Sequence, residues 1–382
     1  MRLFRGGVVL LVGAAWSRAA VAGVPATMPS PSPMPALTAI QSPGMVSVKL
    51  DDALPQAVLD AFGEQTHLNF SPEPNLWGGN PLTVSVDVEN QPFWLALRRV
   101  QAATGVNFYK PQAESNRVVA TRGPGDWGWS GRPEMLSGPW LFTVRRTRWS
   151  SRVNWGEGEP GPPMLAVEMQ GVCEPGFGLD VEPHCFTVSK LRDGAGRNLL
   201  PTPLLGDTAQ ATGGPGRLLL TVRVALSGSV GRNVVSVAGE VRCVVANGVR
   251  TIDIPVAGQM PVREEIAGYP VMIAVRRAGN GFDMELTGMR PRDADAAAYA
   301  RFVNYLFDSC FPKAELIQGS GGVLVGSGGG GASSSLDQID MRRHFPVKGG
   351  QGGQGPVRVL WDVPTSVSEV TFSLAFDRVP TP

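Results

Sequence analysis

Hydrophobic and polar residues alternate along most of this chain, but two stretches near the N-terminus change to helical spacing. The run VSVKL at 46–50 alternates as a half-buried strand does, and PLTVSVDV at 81–88 does the same. The apolar faces of the two predicted helices are Leu54, Val58 and Phe62 in the first and Phe93, Leu97 and Val100 in the second. With short strands before, between and after them, residues 44–122 are predicted to form a small β-α-β-β-α-β-β module.

Beyond a predicted linker at 123–137, short alternating runs recur between turns rich in Gly, Pro, Asn and Asp. WLFTVRRTRW, RLLLTVRVAL and VVSVAGEVRCVV are examples. Strands at this spacing predict a β-sandwich, which we place at 138–266. A second β-rich unit is predicted at 267–382, with Gly-rich loops and one inserted helix in DADAAAYARFVNYLFDSCF. The predicted fold is therefore multi-domain, an α/β module followed by a mainly β region.

The first 22 residues have the three parts of a secretory signal peptide. Arg2 and Arg5 are basic, residues 8–16 are apolar but too short to span a bilayer, and AVA at 20–22 is a small-residue cleavage site. Residues 23–43 are rich in Pro, Ser and Thr without periodicity, which predicts a linker. We expect a soluble exported protein, located in the periplasm or at the cell surface or beyond, with no integral membrane segment.

The N-terminal pattern resembles the secretin and TonB short N-terminal domain. The resemblance rests on VSVKLDDALPQAVLDAFGEQTHLNF, on PLTVSVDVENQPFWLALRRVQAATGVNFY and on RVVAT. It covers about a fifth of the chain and implies a two-layer α/β module that contacts other proteins at the bacterial cell envelope, without catalysis. The segment LRDGAGRNLLP resembles a turn and strand of immunoglobulin-like modules in exported envelope proteins, which implies an immunoglobulin-like sandwich. Nothing after residue 122 resembles a membrane barrel, so the family's transport role is not carried over.

Composition and cysteine content bear on which partners and which disulfide bonds to expect. Lys and Arg number 34 against 33 Asp and Glu, so no overall charge attracts nucleic acid. Four cysteines allow three disulfide pairings, which the sequence does not decide between. A bridge between Cys173 and Cys185 would close a short loop, whereas Cys243 and Cys310 could equally be buried thiols.

Catalytic and cofactor motifs are weak throughout. The GSGGGG run at 326–331 matches a dinucleotide pattern only through its Gly-rich composition, so we expect no cofactor. His67, His184 and His344 are far apart, with no H-x-x-x-H spacing and no local carboxylate partner. We therefore interpret them as solvated or hydrogen-bonded side chains and expect no metal site. No nucleophile motif of a hydrolase is present, so we predict no catalytic residue.

Aromatic residues in predicted loops offer one alternative function. Trp127, Trp129 and Trp155 could stack on sugar rings if they are exposed, although packing at a domain junction is more typical of indole. The arginines of VRRTRWSSRVNW are interpreted as covering apolar surface on a strand, with Arg146 and Arg148 on one face and Arg145 and Trp149 on the other. No nucleic-acid partner is expected.

The sequence predicts an exported, non-enzymatic cell-envelope protein that binds or scaffolds other proteins, with the N-terminal module docking an envelope protein. The alternatives are a carbohydrate-binding protein that uses the three tryptophans and a divergent hydrolase whose site assembles from distant acids. Glycan binding requires coplanar exposed rings, and hydrolysis requires two acids about 5–10 Å apart in a cleft. Scaffolding instead predicts an exposed apolar patch or strand edge.

Overall fold

The structure is a computed structural model. The residues that it describes are 42–78, 83–109, 117–123, 132–150, 163–175, 177, 179–202, 208–214, 216–226, 234–256, 261–311, 314–318, 323–325, 331–335, 337–347 and 356–381. The predicted signal peptide, nearly all of the 23–43 linker and Trp127, Trp129 and Trp155 lie outside these ranges. All described residues belong to one unit, 33–382.

The N-terminal module has two helices and two small sheets. Its elements are β1 (Met45–Ala53), α1 (Pro55–Thr66), β2 (Asn69–Pro72), β3 (Val84–Pro92), α2 (Phe93–Thr104), β4 (Asn107–Tyr109) and β5 (Arg117–Thr121). β1 pairs with β3 in antiparallel fashion, while β5 lies between a parallel β2 and an antiparallel β4. Pro55 suits the first turn of α1 because that position has no helical partner for an amide. Gly105 ends α2 in the left-handed conformation.

A first β-sandwich follows the module. Its larger sheet has the order β10-β11-β8-β7-β6, with β6 (Glu134–Ser137), β7 (Trp140–Ser150), β8 (Met164–Cys173), β10 (Ala209–Gly214) and β11 (Arg217–Ala225). Its smaller sheet has the order β22-β12-β9, with β9 (Leu179–Asp193), β12 (Val234–Ala246) and β22 (Val367–Pro380). The inner faces share one core, in which Trp140 stacks on Phe142. Gly171 makes room for this stack, because a Cβ there would lie 2.8 Å from the Phe142 ring.

A second core lies between two further sheets and a helix. One sheet has the order β13-β21-β17-β18, with β13 (Val249–Pro255), β17 (Glu315–Gln318), β18 (Val323–Val325) and β21 (Pro356–Pro364). The other has the order β14-β15-β16-β20-β19, with β14 (Val262–Ile266), β15 (Tyr269–Ala278), β16 (Gly281–Met289), β19 (Gly331–Ser335) and β20 (Gln338–Pro346). The helix α3 (Ala296–Tyr305) continues into a π-helical turn (Leu306–Cys310). Asp295 caps α3 by accepting a hydrogen bond from the Ala298 amide.

A long two-stranded ribbon joins the two cores. β12 pairs with β22 in the first sandwich, and the chain then passes directly into β13 and β21, which pair in the second. Backbone hydrogen bonds from Asn247 to Ser366 and from Thr365 to Gly248 continue the ladder through the crossing. Val245 therefore packs in the first core while Val244 and Ala246 pack in the second. Residues 249–364 are an insertion between two neighbouring strands of the first sandwich.

Two predicted boundaries differ from the observed sheets. The boundary between 266 and 267 falls inside the β14–β15 hairpin, and the C-terminal β22 belongs to the first sandwich rather than to the second unit. The linker predicted at 123–137 contains β6, which pairs with β7 across the Gly138-Pro139 turn. Local alternation gave no indication of the place of β22, because strand pairing across more than a hundred residues leaves no local pattern.

Candidate binding surface

The solvent side of the β14-β15-β16-β20 sheet carries the most distinctive surface in the described residues, and we call it the outer face. Strand alternation creates it: Met284, Leu286 and Met341 point into the second core, so their neighbours point outward. The outer face comprises Arg263, Pro270, Met272, Arg276, Asp283, Glu285, Thr287, Met289, Gln338, Asp340, Arg342 and His344. One end of this face is charged and the other is apolar.

The apolar end holds a groove of about 460 Å³. Its lining includes Arg263, Pro270, Met272, Thr287, Met289 and Gln338. Met289 is 69 % exposed, an unusual position for a large apolar side chain on a strand. Flexible methionines adapt to irregular apolar partners, so this end of the face suits an apolar side chain of a binding partner.

The charged end is organised around Asp283. This carboxylate is only 3 % exposed although it points outward, because Arg342 and His344 cover it. His344 Nδ1 lies 2.7 Å from Asp283 Oδ1, Arg342 Nε donates at 2.8 Å to Oδ2, and His344 Nε2 lies 3.3 Å from Asn280 Oδ1. Burial alone would raise the pKa of Asp283, but the hydrogen bonds and charges of His344 and Arg342 bring it below its ordinary value.

An Asp–His pair is also a component of hydrolytic sites, so the surroundings of Asp283 and His344 bear on whether the pair is catalytic. Here both ring nitrogens of His344 face side-chain oxygens, from Asp283 on one side and Asn280 on the other. This arrangement holds the ring in one orientation, so it positions His344 as a rigid part of the surface. The pair lies on a sheet face rather than between two walls.

A second notable region is the junction between the N-terminal module and the first sandwich. The Pro139 carbonyl accepts hydrogen bonds from Trp94 Nε1 at 2.9 Å and from the Glu174 amide at 2.8 Å. The Glu174 carboxylate accepts from the Gly44 amide at 2.9 Å, and the Gly44 carbonyl accepts from the Phe93 amide at 2.8 Å. These bonds form a continuous network from α2 through the sandwich to the residue before β1.

Apolar packing reinforces this junction. Leu141 and Val172 lie opposite each other on β7 and β8 and belong to the core of the N-terminal module. Glu174 is 8 % exposed beside them, and its burial, opposed by the smaller effect of the Gly44 amide, raises its pKa to about 7. The module is therefore docked on the sandwich through both apolar and polar contacts.

Of the predicted site residues, the structure describes Cys173 and Cys185. Cys173 and Cys185 are both buried in the first core, at the end of β8 and within β9, and the disulfide between them stays a prediction. Trp127, Trp129 and Trp155 lie outside the described residues, so glycan stacking also stays a prediction. The described tryptophans are buried or half-buried, as in Trp94, Trp140 and Trp361.

Sequence reasoning did not find the outer face. Two of its bonded side chains, Asp283 and His344, are 61 residues apart and meet only because β16 pairs with β20. The alternation of GFDMELTGM puts Asp283 and Met289 on one strand face, but nothing local shows which strand lies beside it, and neither residue was singled out in the sequence. Glu174 has no local signal either, because its burial depends on a module 130 residues earlier.

Comparisons with known proteins do not assign the chain to a family. No family model matches it, and no curated protein matches its sequence. Among the described residues, no helix has the length and apolar character needed to cross a membrane. Within the same ranges, no group of three or more His, Cys, Asp or Glu side chains converges as a metal site would require.

Proposed function

We propose that this chain is an exported, non-enzymatic cell-envelope protein that binds another protein by surface contact, with the outer face as one binding surface. The observation that carries the proposal is the open groove around the exposed Met289, next to a charged cluster whose side chains are already held in place. An apolar anchor point beside rigid polar groups is the usual composition of a protein-binding surface.

The N-terminal module is the second surface in this proposal. Its order of strands and helices supports the resemblance to the secretin and TonB short N-terminal domain, and hence a role in docking an envelope protein. Two large apolar side chains are exposed on it, Met45 at 51 % and Leu54 at 52 %. Among the described strands β1 pairs with β3 alone, so in this proposal its other edge accepts a strand of the partner. An immunoglobulin-like sandwich would hold the two surfaces apart.

Site-specific photocrosslinking in envelope preparations tests the proposal. A photoreactive residue would replace Met289 in the groove, Leu54 on the module, or the exposed Ser373 on β22 as a control. We expect a discrete protein adduct from position 289 or 54 and none from 373. An excess of unlabelled wild-type chain should remove the adduct at 289, whereas an excess of Met289→Asp should not. Equal labelling at all three positions would contradict a specific binding surface.

A further inference from the structure

Glu174 is the one acidic side chain in the described residues whose pKa is clearly raised, and its position explains why. It follows β8 directly and lies against Gly44, where a Cβ would come within 2.1 Å of its Oε1. The carboxyl group thus occupies the space that the missing side chain of Gly44 leaves. Its hydrogen bond to the Gly44 amide is a direct polar contact between the sandwich and the module.

No charged neighbour compensates this buried carboxylate within the described residues. The groups bonded to Glu174 are the Gly44 amide and the Pro139 carbonyl, and neither titrates. The charged side chains on the packed elements include Arg217 on β11, Glu134 on β6, Lys49 on β1 and Arg98 on α2, and none of them shifts the pKa of Glu174. The ionised form therefore has one hydrogen-bond donor in place of its hydration shell.

We propose that Glu174 is a proton-operated latch: the N-terminal module docks tightly on the first sandwich when Glu174 is protonated and loosens when it ionises. Trp94, Leu141 and Val172 lie in the same junction, so a loosened junction exposes apolar surface on both sides. The latch does not depend on which partner the protein binds.

The direction in which pH changes the docking equilibrium follows from proton linkage. A carboxyl group that is free in solution titrates near 4.5, whereas docked Glu174 titrates at about 7. Between these values docking takes up a proton, so the docking equilibrium weakens as the pH rises from 4.5 to 7 and is constant above that. This difference between the pKa values of the free and the docked carboxyl group corresponds to a change in the docking constant on the order of a few hundredfold.

Hydrogen exchange on the full chain tests the latch. The Gly44 amide and the Trp94 indole N–H donate across the junction to Glu174 and Pro139. Their protection factors, corrected for the intrinsic pH dependence of exchange, should fall between pH 5 and pH 8 in the wild type. In Glu174→Gln they should be high and independent of pH, because the neutral amide keeps the shape and the acceptor. Glu89→Gln, which changes an exposed carboxylate on β3, should behave as the wild type does.

Two results would overturn the proposal: protection of the Gly44 amide and the Trp94 indole N–H that does not change with pH in the wild type, or a pH dependence that persists in Glu174→Gln. Direct titration of the Glu174 carboxyl carbon by NMR in the wild type is a second readout that needs no variant. A titration midpoint near 7 supports the latch, and one near 4.5 excludes it.

Discussion

Asp283 and His344 lie directly opposite each other on β16 and β20, with His344 Nδ1 at 2.7 Å from Asp283 Oδ1. The carboxylate also accepts from Arg342 and is almost fully buried on a face that is otherwise exposed. Replacing it removes charge-assisted hydrogen bonds from two side chains at once. We expect Asp283→Ala to lower the free energy of unfolding by about 2 kcal/mol in urea denaturation. Asp340→Ala, on the same face but exposed, should change it by less than about 0.5 kcal/mol.

The Asp283–His344 pair also predicts that the stability of the folded protein depends on pH. The pKa of Asp283 is lowered in the folded state, so its contribution to stability is present above the ordinary aspartate value of 3.8 and is lost as the pH falls through the lowered native value. The stability difference between wild type and Asp283→Asn should therefore shrink as the pH falls below 3.8. Chemical denaturation at a series of pH values below 3.8 measures it, and a difference that grows in this range would contradict the assignment.

Gly44 and Glu174 are predicted to be energetically coupled. Gly44→Ala places a Cβ within 2.1 Å of the Glu174 carboxylate and should displace it, loosening the junction by about 1–3 kcal/mol. In the double variant with Glu174→Ala the new methyl group has room, so the added cost of Gly44→Ala should largely disappear. A double-mutant cycle on unfolding free energies checks this. Strictly additive effects of the two substitutions would show that the contact is not formed.

Arg343 is predicted to stabilise the second core. It is 7 % exposed, and its Nη1 donates to the carbonyls of Phe311 and Ala314, just after the π-helical turn. Arg343→Met fills most of the volume but leaves these buried carbonyls without that donor, so we expect a loss of about 2–4 kcal/mol. Arg276→Met, which removes a well-exposed arginine from β15, should cost less than about 1 kcal/mol. Thermal and urea unfolding of both variants measure the difference.

Asp193 is predicted to hold the turn after β9. Its side chain accepts from the amides of Ala195 and Arg197 and from Arg197 Nε, at 2.7–3.0 Å. Asp193→Ala should destabilise the protein by about 1–2 kcal/mol, while Asp193→Asn should retain part of the turn geometry. Asp377→Ala, on an exposed β22 carboxylate, is the matched control and should have little effect. An equal effect of the two alanine variants would argue against a specific role of the turn.

Local patterns in the sequence predicted those features of the structure that depend on residues close together in the chain. The spacing of Leu54, Val58 and Phe62 and of Phe93, Leu97 and Val100 predicted two amphipathic helices. Leu54 precedes α1 and is 52 % exposed, whereas the other five side chains are buried on α1 and α2. Alternation likewise placed Arg146 and Arg148 on one face of a strand, and in the structure both form ion pairs with Glu168 on β8. These features depend on neighbours within one helical turn or one strand, and such neighbours are visible in the sequence itself.

The sequence by itself determined that this chain is mainly β, with helices in the N-terminal module and one after β16. Tertiary structure alone decided that β12 pairs with β22 across the insertion at 249–364, that Asp283 meets His344, and that Gly44 meets Glu174. The reason is physical: alternation specifies which side of a strand is buried, whereas the choice of neighbouring strand depends on the packing of whole cores. Burial of Glu174, and with it the raised pKa, exists only once the module and the sandwich are docked.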